Sequence, residues 1–449
     1  MKSLVIRVKK TSKYRILTGI LFLCIFARYV FVAPIPRIAI SGMVIAIACV
    51  ATPKQLLALM ISGIPFYSVI HNTILYLGCS VVYLVRFYRD VQIDAVAIVL
   101  VLFLWVWELL HGLFFTFSFM KYLNFIAPYS LLIIVMSVQE ERLDYPYFVR
   151  YMTKCMVLMC AVYLAQILFT NGFSIEALLA NMQRLGMNGS YASVEGGVLN
   201  PNTLGFMCLF CSIGILQMYT LSQCRVEDII SMAFLLVMGI FTMSRTYLVC
   251  LVITVGLWIV AQKGTWKSKV SRVLVLMLLL IVLNILMRWL APEVIERFVT
   301  RFRMEDGMSG RDSLFIDYME YIIKNPIVLF FGVGVVDLEY KLSGVSHSVP
   351  HNGFQEVVVA WGVLGAMAFA GILIYVLLSS RRMNKRQSFL NAIPLIMILV
   401  KVQVGQLVTM PFNITMIAMA YISLCWYSDY SKSLRVPVRG QVRCGCSEY

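Results

Sequence analysis

Apolar runs approaching twenty residues recur along the whole chain, and that spacing leaves few ways to fold. The hydrocarbon core of a bilayer is about 30 Å thick, a distance an α-helix covers in roughly 20 residues. Runs near 14–33, 38–52, 93–115, 123–138, 147–169, 201–221, 229–243, 246–262, 270–290, 352–379, 389–408 and 411–427 are of this kind. In lipid every backbone N–H and C=O must find its partner within the protein, which favours helices for runs of this length. A mean hydropathy of +0.85, with 61% hydrophobic and 13% charged residues, excludes a soluble globular domain. The sequence predicts an all-α polytopic membrane protein, with residues 1–449 forming a single integral membrane domain.

Two segments need closer reading. The first run, from Tyr14 to Val32, has the length of a signal peptide, but no small-residue cleavage site follows it, so it reads as a retained first helix. The stretch 55–87 contains Ser62, Gly63, Pro65 and then His71-Asn72, which suits either two short spans or one tight helical hairpin. The expectation is about 12–14 transmembrane helices with no internal repeat.

The net charge of +16 could suggest nucleic acid, but its placement argues for topology. Basic residues gather in short segments: Lys2 to Arg15 at the start, Lys263 to Arg272, Arg381 to Arg386, and Lys432 to Arg443 in the tail. These segments alternate with apolar spans, as the positive-inside rule requires of cytoplasmic loops. Both termini are therefore expected in the cytoplasm, in a multi-pass protein of the cytoplasmic membrane whose partners include membrane lipids and no nucleic acid. The twelve cysteines lie mostly inside apolar runs and show no disulfide framework or zinc spacing. Cys444 and Cys446 in the tail read as incidental.

Two extracytoplasmic loops are expected, at 170–200 and 291–350. The second carries nine acids against six bases, the reverse of the cytoplasmic balance. Within it, Gly310-Arg311-Asp312 leads into a helical pattern with Leu314, Phe315, Tyr318, Met319 and Ile322 on one face and Asp317, Glu320 and Lys324 toward the other. The pattern reads as an amphipathic helix lying on the membrane surface and stopped by Asn325-Pro326. "GVGV" at 332–335 then allows a sharp turn back.

In order, Gly310-Arg311, the amphipathic helix, Asn325-Pro326, Gly332-Val333-Gly334 and His351-Asn352 open a span that continues through Trp361-Gly362-Val363-Leu364-Gly365. Together with Ser244-Arg245, and Arg184 followed by Asn200-Pro201-Asn202, this resembles the O-antigen ligase and Wzy-type polymerase superfamily over roughly residues 180–380. The resemblance implies a GT-C-like helical membrane fold and an inverting, metal-independent glycosyltransferase without a cofactor. Its donor would be a glycan on undecaprenyl diphosphate, and its acceptor another lipid-linked glycan or a lipid core. A polymerase of O-antigen, capsule or exopolysaccharide units is favoured over a ligase. Further partners would be a chain-length regulator and the flippase of the same pathway. The extra His347 departs from the pattern.

Such a transfer needs a base for the acceptor hydroxyl and cations for the leaving diphosphate. Pro350 suits a first helical turn, placing His351 at a helix N-terminus. There the dipole keeps imidazole neutral and attracts phosphate oxygens. Asn352 can bond a sugar or orient the histidine, and Glu356, about a turn along, is expected to reach the same face. The plainer alternative is that His351 caps the helix; a metal site spanning His347 and His351 is disfavoured because Pro350 interrupts the pair. Arg184, Arg245 and Arg311 are candidate diphosphate ligands, since a guanidinium grips phosphate through paired hydrogen bonds. Against this, Arg245 can simply snorkel from a helix end, and loop arginines are often only solvated. Arg297, Arg301 and Arg303 suit lipid head groups, while His71 and His111 read as satisfied interior groups.

Two other classes of function fit less well. A lipid-linked oligosaccharide flippase would show repeated halves and charges along the midplane. A non-enzymatic scaffold would not need arginines and a histidine gathered beside the outer loops. The topology is tested by single cysteines in a cysteine-depleted variant: at Ser309 the thiol should react with an impermeant reagent on intact cells, and at Asn384 it should not. Labelling at Asn384 alone would invert the topology.

Overall fold

The computed structural model describes residues 2–426, apart from 67–68, 115–117, 140–141, 175–199, 263, 275–284, parts of 286–298, 301–310, 343, 346–348 and 379–384. Most of the 170–200 loop, with Arg184, most of the 270–290 run, Arg297, Arg301, Arg303, His347 and the cysteines of the tail lie outside the described residues.

The described residues form an all-α bundle. Its first half comprises α1 (Lys2–Val30), α2 (Arg37–Val50), α3 (Pro53–Ser62), α4 (Cys79–Phe87), α5 (Ala95–Phe114), α6 (Phe119–Ser137) and α7 (Tyr145–Asn171). The second half comprises α8 (Pro201–Thr220), α9 (Val226–Phe241), α10 (Arg245–Ala261), α11 (Arg311–Lys324), α12 (Pro326–Phe331), α13 (Leu338–Lys341), α14 (Gly353–Leu378), α15 (Lys385–Lys401) and α16 (Pro411–Cys425). Among these, six helices are long and apolar enough to cross a membrane, and Arg37–Val50, Arg245–Ala261 and Pro411–Cys425 are shorter apolar helices. Length and composition therefore account for only part of the expected 12–14 crossings.

The stretch 55–87 forms two short helical arms. A capping box starts α3: the Thr52 hydroxyl accepts from the Gln55 N–H, and the Gln55 side chain accepts from the Thr52 N–H. After Ser62 the chain passes through a short 3-10 turn and returns as a π-helical stretch, Thr73–Gly78, that runs into α4. The returning arm packs against α2, α3 and α6.

The feature that organises the second half is a break inside α14. At Gly362 the backbone leaves the helix, with φ 63° and ψ −172°. The carbonyls of Val359 and Ala360 instead accept hydrogen bonds from the Val333 and Gly334 N–H groups, at 3.0 and 2.6 Å. Two glycines make this approach possible. A Cβ on Gly332, where φ is 79°, would stand 2.3 Å from the Ala360 oxygen, and one on Gly362 would stand 2.2 Å from the Phe330 oxygen. The "GVGV" stretch is thus a backbone plug as well as a turn.

Helix α5 completes the plug. The Glu108 carboxylate, almost wholly buried, accepts from the Val335 and Val336 N–H groups and from Trp361 Nε1, at 2.8–2.9 Å. One turn on, both ring nitrogens of His111 lie 2.7 Å from carbonyl oxygens, those of Trp107 and Phe331. The Trp107 indole donates to the Trp361 carbonyl at 3.0 Å. Below the loop, Lys341 donates to the Val333 carbonyl; burial lowers its pKa while Glu108 and Asp337 pull it back up.

Helix α11 stops at Lys324, and Pro326 opens α12, as the Asn325-Pro326 pair predicts. Its apolar face is narrower than expected. Tyr318 and Ile322 are buried, with Leu314 and Tyr321 beside them, against Val328, Val333, Leu338, Leu342 and Val359. Phe315 and Met319, expected on that face, are exposed, as are Ile316 and Ile323. Residues 314, 318, 321 and 322 share one sector of the wheel, while 315, 319 and 323 fall on its flank. The helix therefore packs on protein through one sector and offers a second apolar sector outward.

The paired glycines give a sharp test. Gly332→Ala and Gly362→Ala should each cost about 3 kcal/mol or more, because strain at positive φ adds to a backbone clash. Gly256→Ala, whose Cβ would meet nothing within 4 Å, should be neutral or slightly stabilising. Thermal unfolding of the purified variants in detergent would read the difference, and equal midpoints would remove the plug from the fold's stability.

Candidate functional site

Asn352 starts α14. Its Oδ1 accepts from the Phe354 and Gln355 N–H groups, both at 3.1 Å, and its backbone carbonyl accepts from Glu356 at 2.8 Å. The helix therefore begins at Gly353, not at Pro350. His351 stands just before the cap, fixed in sequence to the polar start of the helix but outside its first turn. The second capping arm of Asn352 reaches across: Nδ2 donates to the Gln403 carbonyl at 3.2 Å.

That cross-link involves a segment read from hydropathy as the continuous span 389–408. The helix α15 ends at Lys401, followed by a 3-10 turn, Val402–Val404, and a non-helical stretch to Met410. Gly405 and Pro411 were the available signals. The stretch is fastened from two sides. Lys401 donates to the Gln406 carbonyl and to Asn413 Oδ1, both at 3.3 Å, and lies over the Phe412 ring. Asn413 donates to the Gln406 and Leu407 carbonyls, both at 2.9 Å.

Glu356 supplies the other fastening, and here the expectation fails. Its side chain was expected to face a substrate beside His351. Instead it is fully buried, at 0% exposure, and accepts from the N–H groups of Leu407, Val408 and Thr409 and from the Thr409 hydroxyl. A buried carboxylate needs several donors, and the open backbone of 407–409 provides them. Glu356 is a structural clamp on the wall of the site.

These walls enclose a cleft of about 470 Å³, lined by Asp312, Phe315, Ile316, His351, Asn352, Gln355, Gln403 and Val404. Three elements meet there: the start of α11, the start of α14 and the turn after α15. Gln355 joins two of them, since its Nε2 donates to the Phe315 carbonyl at 2.8 Å. Arg311 is the first residue of α11, next to the lining residue Asp312. Asp312, Gln355 and Gln403 were missed as site residues; a lone amide after an Asn cap carries no distinctive pattern.

The Asn200-Pro201-Asn202 and Ser244-Arg245 motifs meet at a second place. Asn200 caps α8 by accepting from the Asn202 N–H at 2.9 Å. The Ser244 hydroxyl donates to Asn202 Oδ1 at 2.7 Å and accepts from the Tyr247 N–H, which starts α10 at Arg245. The Asn200-Pro201-Asn202 and Ser244-Arg245 motifs are therefore one joint between two helix starts. Arg245 is half-buried and does not line the cleft. Its helix packs along α15, whose end forms the cleft wall.

Among the described residues no group of three or more His, Cys, Asp or Glu is placed to hold a metal ion. Residues 230–370 match the family model described as O-antigen ligase. The match runs from α9 through the break in α14, and so takes in Ser244-Arg245, α11, the glycine plug and His351-Asn352. A search of curated proteins finds no match. The motifs and this match agree: over residues 230–370 the chain is similar to the O-antigen ligase family.

Proposed function

We propose that the protein polymerises oligosaccharide repeat units carried on undecaprenyl diphosphate into a surface polysaccharide, such as O-antigen, capsule or exopolysaccharide. The reaction takes place at the outer face of the cytoplasmic membrane, with both termini of the chain in the cytoplasm. The observation that carries this reading is the cleft in which His351 stands beside the capped start of α14, with α11 and the clamped turn after α15 as its other walls.

In this reading His351 takes the proton of the acceptor hydroxyl as its oxygen attacks the anomeric carbon from the face opposite the leaving group. The bond to the diphosphate breaks, undecaprenyl diphosphate departs with the electron pair, and the new glycosidic bond has inverted configuration. The positive end of the α14 dipole, beside the cleft, favours the phosphate oxygens. Arg245, Arg311 and Arg184 supply guanidinium groups for the departing charge, in place of a metal. Asn352 is already committed to the cap and to Gln403, so its part is to hold His351 and the wall in register. A chain-length regulator and a flippase for the repeat units are the partners this activity requires.

Ligation is the second reading, favoured by the description of the matching family as O-antigen ligase. There the acceptor is a lipid core instead of a second lipid-linked unit. Glycans of a deletion strain separate the two: single repeat units at the surface indicate a polymerase, and long polymer left on undecaprenyl diphosphate indicates a ligase.

The chemistry is tested with purified protein and lipid-linked repeat units, scoring product length on a gel. His351→Ala should insert and accumulate normally but lose about 10²- to 10⁴-fold in rate, the usual contribution of general base catalysis. His347→Ala should be mild. Arg245→Lys and Arg311→Lys should be severely impaired despite keeping their charge, because the planar fork is lost. A chelator should leave the wild type unchanged. Near-normal product from His351→Ala would end the base assignment.

A further inference from the structure

The polar groups that line the cleft differ in how much of their hydrogen-bonding capacity is already used. Asn352 spends its oxygen on two backbone N–H groups and its nitrogen on Gln403. Gln403 donates its own amide nitrogen to the Leu399 carbonyl at 3.2 Å. Gln355 is different. It is 5% exposed, its nitrogen donates to the Phe315 carbonyl, and its Oε1 is buried with no hydrogen-bond partner.

A buried amide oxygen without a donor is costly, and a donor brought to it is correspondingly favourable. The bond to Phe315 settles which end of the amide is spent, since only the nitrogen can donate to a carbonyl. What remains at Gln355 is an acceptor, in a cleft where Asp312 and the Gln403 amide oxygen are acceptors too. The complementary ligand is rich in donors and small enough for about 470 Å³. A pyranose with free hydroxyls has this character.

We propose that the cleft is a sugar subsite and that Gln355 Oε1 accepts a hydrogen bond from one hydroxyl of the sugar bound there, which makes Gln355 a specificity-determining residue. The proposal rests on the reading that the protein handles glycans, but it concerns recognition and not transfer. Gln355 lies on the helix that His351 precedes, four residues on, and it ties that helix to α11. A sugar held by Gln355 is thereby referenced to the two walls of the cleft together. The wrong sugar leaves the oxygen unpaired, which is how a site built on a buried polar group rejects an analogue lacking one hydroxyl.

The test measures binding to the full-length protein in nanodiscs by ligand-observed NMR. The probes are the methyl glycosides of glucose, galactose, mannose, rhamnose and N-acetylglucosamine, each beside its monodeoxy counterparts. The wild type should bind at least one glycoside and lose about tenfold when one particular hydroxyl is removed. In Gln355→Leu the ratio between that glycoside and its deoxy form should fall to about one, while Gln355→Glu, which keeps an acceptor oxygen, should retain discrimination. A purely structural role would weaken both ligands equally and leave the ratio unchanged, which overturns the proposal. So does a wild type that binds none of the glycosides. If the ratio depends on Gln355 but no transfer occurs from lipid-linked units, the sugar subsite stands and the glycan-transfer reading falls.

Discussion

A helix interrupted inside a membrane leaves backbone groups that lipid cannot satisfy, and much of the second half of this chain is arranged around one such interruption. At Gly362 the ladder of α14 opens, and the freed carbonyls of Val359 and Ala360 are met by N–H groups from 333–334. The N–H groups of 335 and 336 must then be met in turn, and Glu108 on α5 meets them. Each partner creates a need that the next one fills. The result joins the glycine loop to α14 through main-chain hydrogen bonds, with no intervening side chain at Gly332 and Gly362 to loosen the fit, and fastens α5 to both through the side chains of Glu108, His111 and Trp107.

The cleft inherits its geometry from this joint. The first part of α14 is held at the break on one side and by its Asn352 cap on the other, while Glu356 between them grips the turn at 407–409. Polar side chains around the site are therefore mostly occupied in holding backbone. Such occupation keeps walls in place without side-chain reorganisation when a ligand arrives, the condition under which positioned groups are most effective. His351 lines the cleft immediately before the Asn352 cap, where these constraints meet.

The fold class was legible because hydropathy and length act locally: among the described residues, runs such as 201–221 and 246–262 became the helices Pro201–Thr220 and Arg245–Ala261, while 389–408 opened after Lys401. Motifs that work through backbone shape were also legible, since Asn325-Pro326 and the glycines at 332 and 334 carry their conformational meaning with them. Partnerships across the chain were not. Glu356 looked like a site residue from its spacing to His351, and only the open backbone at 407–409, hidden inside an apolar run, shows where its carboxylate goes. Phe315 and Met319 matched a helical period, but a period cannot say which arc of the wheel meets protein. Gln355 carried no signal, because its meaning lies in a bond to the Phe315 carbonyl and an oxygen without one.

The reach of Glu108 also bears on how the chain is made. It binds the N–H of Val335, 227 residues further along. At roughly 5–20 residues per second, synthesis of that stretch takes about 10–45 s. Throughout that time α5 carries an acidic side chain in an apolar segment without the donors that later surround it, a costly state in lipid. Insertion of α5 and arrival of the glycine loop are thus separate events, and the Glu108 carboxyl gains its backbone donors only when the second half of the protein reaches it.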